Sequence, residues 1–241
     1  MNVHQYSSAN ALVDAFAEWL VTDIAQTLLR QKRYALCLSG GSTPKALHQL
    51  LATPAFASRI DWSKLHIFWG DERFVPFSDE RNNARMAYDT LLNFVPIPPH
   101  YIHCMDTSTA TAEQSALAYA SILHQYFNDT PFTFDLVLLG MGDDAHTLSL
   151  FPGQPVIDEA QNWTASLWLQ SQQMHRVTLT APVVNRAAAV AFLVTGSSKR
   201  PALHKVWHGT KDVMRYPAQI IAPHSGNLHW WVDDAAVGEA Q

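Results

Sequence analysis

A histidine and two carboxylates stand close together in the glycine-rich segment GMGDDAHTLSLFPG, residues 140–153. The segment follows the apolar run FDLVLL, so His146 comes shortly after a predicted buried strand, with Asp143 and Asp144 just before it. A histidine in this setting can act as a general base whose ring is oriented, or whose cation is stabilised, by a carboxylate. A lone histidine in a turn is more often a surface residue, but the buried strand, the glycines and the adjacent acids favour proton-transfer chemistry at His146.

Two further segments offer groups that suit an anion. In SGGSTPK, Gly40 and Gly41 let the backbone approach a ligand, and Ser42 and Thr43 supply hydroxyls where a helix is predicted to begin. Backbone N–H groups at a helix start favour phosphate. The segment matches neither the P-loop nor the GxGxxG pattern, and a plain tight turn is the alternative. The segment TGSSKRP places Lys199 at another predicted helix start, where its ammonium either meets the same phosphate or faces solvent.

A charged segment, GDERFVPFSDER, follows the apolar run KLHIFW and is predicted to be a long polar loop. Asp71 and Arg73 come immediately after the predicted strand and are candidates for a site. An arginine there can hold a carboxylate or a developing oxyanion through its fork of donors. Glu80 and Arg81 lie further from the strand end, and we expect them to form a solvated, self-paired charged loop.

Apolar patterning predicts how these segments are positioned. Residues 9 to about 31 have helical periodicity, and the runs YALCL, KLHIFWG, FDLVLLG, VTLT and VAFLVTG read as strands that alternate with helices. Asn82 or Asn83 is the expected cap of the helix NNARMAYDTLL. Nearly continuous apolar strands favour a mostly parallel sheet covered by helices on both faces. Ligands bind beyond the carboxyl ends of such strands. Each of the four segments described above follows a predicted strand, so together they indicate one site more strongly than any of them does alone.

Composition limits the remaining possibilities. The 241 residues suit a single α/β domain over residues 1–241, and a net charge of -5 argues against a nucleic-acid partner. Cys37 and Cys104 are expected to be core residues, and His204 and His208 lack a third ligand, so no metal site is predicted. No secretory signal or membrane-length apolar run is evident. The expectation is a soluble cytoplasmic monomer or small homo-oligomer without membrane partners.

Several segments occur in the order and spacing typical of the 6-phosphogluconolactonases: SGGSTP, WGDERFVP, NNARMAYDTLL, LGMGDDAHTLSLFPG, RVTLT, FLVTG and RYPAQII. The chain resembles this family over essentially its whole length. The resemblance implies a three-layer, modified Rossmann-like α/β fold of the deaminase/lactonase type. It also implies hydrolysis of the phosphosugar lactone 6-phospho-D-glucono-1,5-lactone to 6-phosphogluconate in the oxidative pentose phosphate pathway, with no metal or organic cofactor.

The resemblance also implies roles for particular residues. The catalytic histidine of the family corresponds to His146, its associated acid to Asp144 and the arginine of its DER motif to Arg73. A lactone is an activated ester, so a neutral histidine that deprotonates water can suffice, and an arginine can stabilise the oxyanion. The predicted substrate- and phosphate-binding residues are Gly40, Gly41, Ser42, Thr43, Asp71, Arg176 and Lys199.

Two departures from the family pattern keep other functions open. The family motif usually reads DGHTAS, whereas this chain has Ala145 and Leu148 at the variable positions. If the backbone there takes a positive φ, alanine costs on the order of 1 kcal/mol. A phosphosugar-binding sensor without catalysis is therefore one alternative, although His146 and Asp144 are retained. An amino-sugar phosphate deaminase or isomerase is a less favoured alternative, because the chain has LFPG where a FNEP-like segment is expected.

Overall fold

The computed structural model describes residues 1–238, in which strands and helices alternate along the chain. The strands in this part of the chain are β1 (Asn2–Tyr6), β2 (Tyr34–Leu38), β3 (Leu65–Trp69), β4 (Asp71–Arg73), β5 (Ile102–His103), β6 (Leu136–Leu139), β7 (Thr164–Leu169), β8 (Met174–Leu179), β9 (Val190–Val194) and β10 (Leu228–Asp233). The α-helices are α1 (Ala9–Leu28), α2 (Ser42–Leu51), α3 (Pro54–Ala57), α4 (Asn83–Thr90), α5 (Ala112–Phe127), α6 (Ala181–Asn185), α7 (Arg200–His208) and α8 (Asp234–Val237).

Seven strands form one sheet in the order β1-β10-β9-β6-β2-β3-β5. Every neighbouring pair in this sheet is parallel. All residues of β2, β3, β6 and β9 are buried, as expected for central strands with helices on both faces. The continuous apolar runs in the sequence are therefore these central strands.

Helices cover both faces of the sheet and create two apolar cores. One core contains Phe16 of α1, Leu47 of α2 and Ala87 of α4. The other contains Leu123 of α5 and Leu203 of α7. The predicted α/β fold class, a mostly parallel sheet between two helical layers, is confirmed.

Helix starts in the structure follow ordinary capping chemistry. The Ser8 hydroxyl caps α1 by accepting a hydrogen bond from the Ala11 N–H at 3.2 Å. Asn82, rather than Asn83, caps α4, because its side-chain oxygen accepts from the Arg85 N–H at 2.8 Å. Among residues 1–238, no helix is long and apolar enough to cross a membrane.

A second, antiparallel sheet of order β4-β8-β7 was not expected. The prediction that the DER segment lies in a loop is wrong, since Asp71–Arg73 is strand β4. Arg73 lies opposite Arg176 in β8, about a hundred residues later in the chain. Three charged residues carry no apolar alternation, so only this long-range pairing identifies them as a strand.

Candidate active site

A cavity of about 270 Å³ opens at the carboxyl ends of the parallel strands. It lies where the binding rule for open α/β sheets places a ligand. Nine of the ten predicted site residues line it: Gly40, Gly41, Ser42, Thr43, Asp71, Arg73, His146, Arg176 and Lys199. The tenth, Asp144, lies behind His146 and contacts its ring.

The His146 ring is paired with Asp144. His146 Nδ1 lies 2.6 Å from Asp144 Oδ1, and the His146 backbone N–H donates to the same oxygen at 3.1 Å. Burial acts to raise the pKa of Asp144, but the hydrogen bonds and charge of His146 outweigh it, so the net pKa shift is downward. An Asp144 carboxylate that accepts the Nδ1 proton leaves Nε2 as the free basic nitrogen of a ring that lines the cavity.

Gly142 makes room for this pair. A Cβ atom at position 142 would lie 2.0 Å from His146 Nδ1 and 2.5 Å from Asp144 Oδ1. The Gly142 N–H donates to the His146 carbonyl at 2.8 Å, which closes the turn around the histidine. A side chain at position 142 would therefore displace the imidazole, so the glycine is required by a close approach.

Two non-glycine residues around His146 have left-handed backbone conformations. Ala145 has φ +65° and Leu148 has φ +55°. Each such residue costs about 1–2 kcal/mol relative to a right-handed conformation. Position 145 therefore has the positive φ at which alanine was expected to cost stability, and the turn that contains His146 is locally strained.

The second sheet brings two guanidinium groups to the opposite side of the cavity. Arg176 is buried, and its Nη1 atom lies 3.6 Å from Asp71 Oδ2. Its Nη2 atom donates to the side-chain oxygen of Gln172. Burial lowers the pKa of Arg176, Asp71 opposes this shift, and the positive charge of Arg73 lowers the pKa further. Asp71 is fixed in turn by the Ser149 hydroxyl, which donates to it at 2.7 Å.

Arg73 is held by a backbone carbonyl of the loop that follows β4. Its Nη1 donates to the Arg81 carbonyl at 2.8 Å, while Arg81 itself pairs with Asp79 at 2.6 Å on the surface, as expected. The Nε atoms of Arg73 and Arg176 are buried and find no hydrogen-bond partner within residues 1–238. Two adjacent guanidinium groups that line this side of the cavity make it suited to negative charge.

Glu72 supports Arg73 from behind and was missed as a functional residue. Side chains alternate along a strand, so Glu72 points away from the face that carries Asp71 and Arg73. Its carboxylate accepts from the backbone N–H groups of Arg73 at 2.8 Å, Asn83 at 2.7 Å and Ala84 at 2.8 Å. Burial raises the pKa of Glu72 to about 7, although these N–H donors oppose the shift. No local sequence signal identifies Glu72, because its burial depends on the pairing of β4 with β8.

The loop after β2 offers backbone donors. α2 begins at Ser42, and its cap, Gly41, has φ +106°, which favours glycine. The first N–H groups of this helix are free for a ligand. A Cβ at Gly40 would lie 2.1 Å from Asn83 Oδ1, so Gly40 is also needed for a close approach. The Thr43 hydroxyl is 2.8 Å from the Thr195 hydroxyl across the cavity floor.

Lys199 is paired within the protein and does not simply face solvent. Its Nζ donates to Asp143, and the side chains of Lys199 and Asp143 are 26% and 62% exposed. The hydrogen bond from Lys199 lowers the pKa of Asp143. Asp143, for which sequence reasoning gave no role, therefore holds the ammonium at the rim of the cavity.

The two cysteines do not belong to a cluster of metal-ligand residues in the described part of the chain. Cys37 is buried and Cys104 is partly buried, and both are free thiols. In the part of the chain that the structure describes, no group of three or more His, Cys, Asp or Glu residues is arranged to hold a metal ion.

The fold and the cavity together define a class: an α/β protein whose strand-end loops surround a site with a carboxylate-paired histidine and several hydrogen-bond donors suited to a small anionic ligand. Residues 7–230 match the sequence model of the family described as "Glucosamine-6-phosphate isomerases/6-phosphogluconolactonase", and the chain belongs to this family.

Individual relatives agree with the family. A 6-phosphogluconolactonase from Nostoc sp. is 38% identical over 232 residues, which cover 95% of this chain and 94% of the relative. One from Synechocystis sp. is 38% identical over 228 residues, 93% of this chain and 92% of the relative. The solved structure of the Trypanosoma brucei 6-phosphogluconolactonase superposes with a TM-score of 0.84 at 26% identity, covering 98% of this chain and 97% of the other.

Proposed function

We propose that this protein is an enzyme that hydrolyses 6-phospho-D-glucono-1,5-lactone to 6-phosphogluconate, the lactonase step of the oxidative pentose phosphate pathway. The observation that carries the proposal is the 2.6 Å pairing of His146 with Asp144 in a cavity that also contains two guanidinium groups and the start of α2. The near-full-length relatives named as 6-phosphogluconolactonases support the same activity.

His146 is the proposed general base. Its Nε2 takes a proton from water while the water oxygen bonds to the lactone carbonyl carbon. When the tetrahedral intermediate collapses, the bond from that carbon to the ring oxygen breaks, and the imidazolium returns its proton to the ring oxygen. The acid product then ionises, so one proton is released in each turnover. Asp144 orients the ring and stabilises its cation during this cycle.

Arg73 is the proposed stabiliser of the oxyanion, with Arg176 beside it. The lactone carbonyl is neutral and the intermediate carries a negative charge, so a fixed guanidinium binds the transition state more tightly than the substrate. Glu72 holds the backbone of β4 against the start of α4, and Asp71 lies beside the Arg176 guanidinium. The charge needed for catalysis is thus positioned before the substrate arrives.

The phosphate is proposed to lie against residues 40–43 and Lys199. Backbone N–H groups at the start of α2, the Ser42 and Thr43 hydroxyls and the Lys199 ammonium are suited to a phosphate dianion. Holding the far end of the sugar turns remote binding energy into orientation at the carbonyl. The distance between base and carbonyl is then set by the protein rather than by diffusion.

Acid release from freshly prepared 6-phosphoglucono-1,5-lactone tests the proposal. Wild type, His146→Ala and a protein-free sample are compared, because the lactone also opens spontaneously. We expect acceleration by wild type that falls by roughly 10²–10⁴-fold in His146→Ala, the usual contribution of a general base. A wild-type rate equal to the protein-free rate would contradict the proposal. Phosphosugar binding without turnover would then favour a sensor, and ammonia release from glucosamine 6-phosphate would favour a deaminase.

Three expectations from the sequence stay predictions: a single domain over residues 1–241, a cytoplasmic location, and a monomeric or small homo-oligomeric state without nucleic-acid or membrane partners. Sedimentation of the purified protein measures the oligomeric state directly. Fractionation of the cells that produce it measures the location.

A further inference from the structure

Phe151 lies behind the cavity and contacts two of its functional groups. Its ring stacks on the His146 imidazole with the ring centroids 4.1 Å apart and an interplanar angle of 29°. The Arg176 guanidinium carbon lies 5.7 Å from the centroid of the same ring. Phe151 itself is 7% exposed and does not line the cavity. It can therefore affect a bound substrate only through the two residues that it contacts.

A tight turn brings Phe151 back onto a residue five positions earlier. The Leu150 N–H donates to the Thr147 carbonyl at 2.9 Å, and Thr147 and Leu150 form an isolated β-bridge. The turn is anchored from the second sheet, since the Ser149 N–H donates to the Thr178 hydroxyl at 3.2 Å. The left-handed conformation of Leu148 belongs to this turn, so the strain there is coupled to the placement of Phe151.

The hydrogen bond to Asp144 does not fix the imidazole by itself. The His146 backbone N–H holds the Asp144 carboxylate, but a single contact at Nδ1 leaves the ring free to tilt about that contact. A stacked aromatic face restrains the plane of the ring, because tilting would lose contact area. The basic lone pair of Nε2 lies in the plane of the imidazole. The orientation of this plane therefore sets the direction in which the base acts.

We propose that Phe151 is a positioning residue that sets the plane of His146 and, through its other contact, the distance from the base to Arg176. A guanidinium within about 6 Å of an aromatic centroid is attracted to the ring. One ring therefore connects the group that activates water with a group that binds negative charge. This inference rests on the proposed lactonase activity.

Three variants test the role of Phe151. Phe151→Leu removes the aromatic face, and Phe151→Tyr retains it. Phe134→Leu is the matched control, because Phe134 is fully buried among Phe68 and Phe127 at the opposite end of the sheet. Misplacement of a catalytic group costs up to roughly 100-fold in rate. We expect kcat to fall about 10- to 100-fold in Phe151→Leu with little change in KM, because both residues that Phe151 contacts act in the transition state. Phe151→Tyr should retain most of kcat, and Phe134→Leu should lose stability but not kcat.

An activity-independent measurement accompanies the kinetics. Protons that lie over an aromatic face resonate upfield, so the ring protons of His146 in ¹⁵N-histidine-labelled protein should move downfield in Phe151→Leu and stay near their wild-type position in Phe151→Tyr. His146→Gln assigns the signal. Unchanged His146 shifts, or unchanged kcat in an active Phe151→Leu protein, would overturn the inference. An inactive wild type with the upfield shift intact would instead overturn the proposed function.

Discussion

The two sides of the cavity are built in different ways. The helix-start side consists of residues 40–43 and Ser197–Lys199, which follow parallel strands and present backbone N–H groups, hydroxyls and one rim ammonium. The ribbon side consists of β4 and the neighbouring end of β8, two antiparallel strands that present the buried Arg176 and the half-buried Arg73. One side uses the ends of regular elements, and the other uses side chains held by long-range pairing.

In the proposed reaction, this difference separates two electrostatic tasks. A phosphate keeps its charge throughout that reaction, so backbone dipoles and a partly exposed lysine are adequate to hold it. The charge on the carbonyl oxygen would exist only in the transition state, and guanidinium groups already held in place can meet it without reorganisation. Burial lowers the pKa of Arg176, and the positive charge of Arg73 lowers it further, so arriving negative charge is favoured on the ribbon side.

Among the variants that test this difference between the two sides, Arg73→Lys is expected to have the largest effect. A lysine keeps the charge but loses the planar fork and the bond to the Arg81 carbonyl, so oxyanion stabilisation should fall. We expect kcat to drop by roughly 10²–10³-fold, the usual cost of removing one oxyanion donor. Lys199→Ala, on the helix-start side, should mainly raise KM. Steady-state kinetics decide between them, and a rise in KM alone for Arg73→Lys would assign Arg73 to ground-state binding.

A smaller effect is expected from Glu72→Gln on the pH dependence of stability. Burial raises the pKa of Glu72 from its ordinary 4.5 to about 7, so the folded protein retains a proton that the unfolded chain releases within this window. The stabilisation from this group is complete below about pH 4.5 and is lost as the pH rises through about 7. At about 1.4 kcal/mol per pKa unit, the loss approaches roughly 3 kcal/mol.

Urea denaturation of wild type and Glu72→Gln between pH 4.5 and 8 measures this loss. The difference in free energy of unfolding, wild type minus variant, should decline with rising pH and level off above 7. Other titrating groups, such as the buried His48, contribute equally to both proteins and cancel. A pH-independent difference would contradict the prediction.

Gly40→Ala tests the contact between the two sides. The new Cβ would lie 2.1 Å from Asn83 Oδ1, and Asn83 donates through Nδ2 to the Asp71 carbonyl at 3.0 Å. Displacing Asn83 should disturb the helix-start loop first, so we expect KM to rise roughly tenfold, about 1.4 kcal/mol, with a smaller change in kcat. The double variant Gly40→Ala/Asn83→Ala removes the clash and should recover part of the affinity. If the double variant recovers no affinity, the loss in Gly40→Ala does not come from the clash with Asn83.

The smallest effect is expected from Ala145→Gly. Glycine removes the strain of the positive φ, which stabilises the fold by about 1–2 kcal/mol. Its greater freedom in the unfolded chain offsets roughly 0.5–1 kcal/mol of this gain. We expect stability to rise by about 0–1 kcal/mol and kcat and KM to stay within a few-fold. Ala116→Gly in the middle of α5 is the control and should lose about 1 kcal/mol. A rate increase of orders of magnitude in Ala145→Gly would show that alanine impairs the natural enzyme.

The two sides also differ in how well the sequence predicts them. Residues 40–43 and Lys199 could be located from apolar runs and the rule that ligands bind at strand ends, because both signals are local. The placement of Arg73 opposite Arg176 could not, because it depends on pairing between segments far apart, and Arg176 was identified only by resemblance. The burial of Glu72 and the ion pair between Asp143 and Lys199 could not be predicted either, because they also depend on how distant segments come together.

Strand β1 has a consequence for synthesis of the chain. In the described structure it pairs with β10 alone, Asn2 lying beside His229 and Tyr6 beside Asp233. Because β10 is synthesised long after β1, β1 must wait for it, an interval on the order of ten seconds or more at usual translation rates. Until then β1 has no strand to pair with. The emergence of β10, rather than the formation of any single helix, is the event that lets β1 join the large sheet.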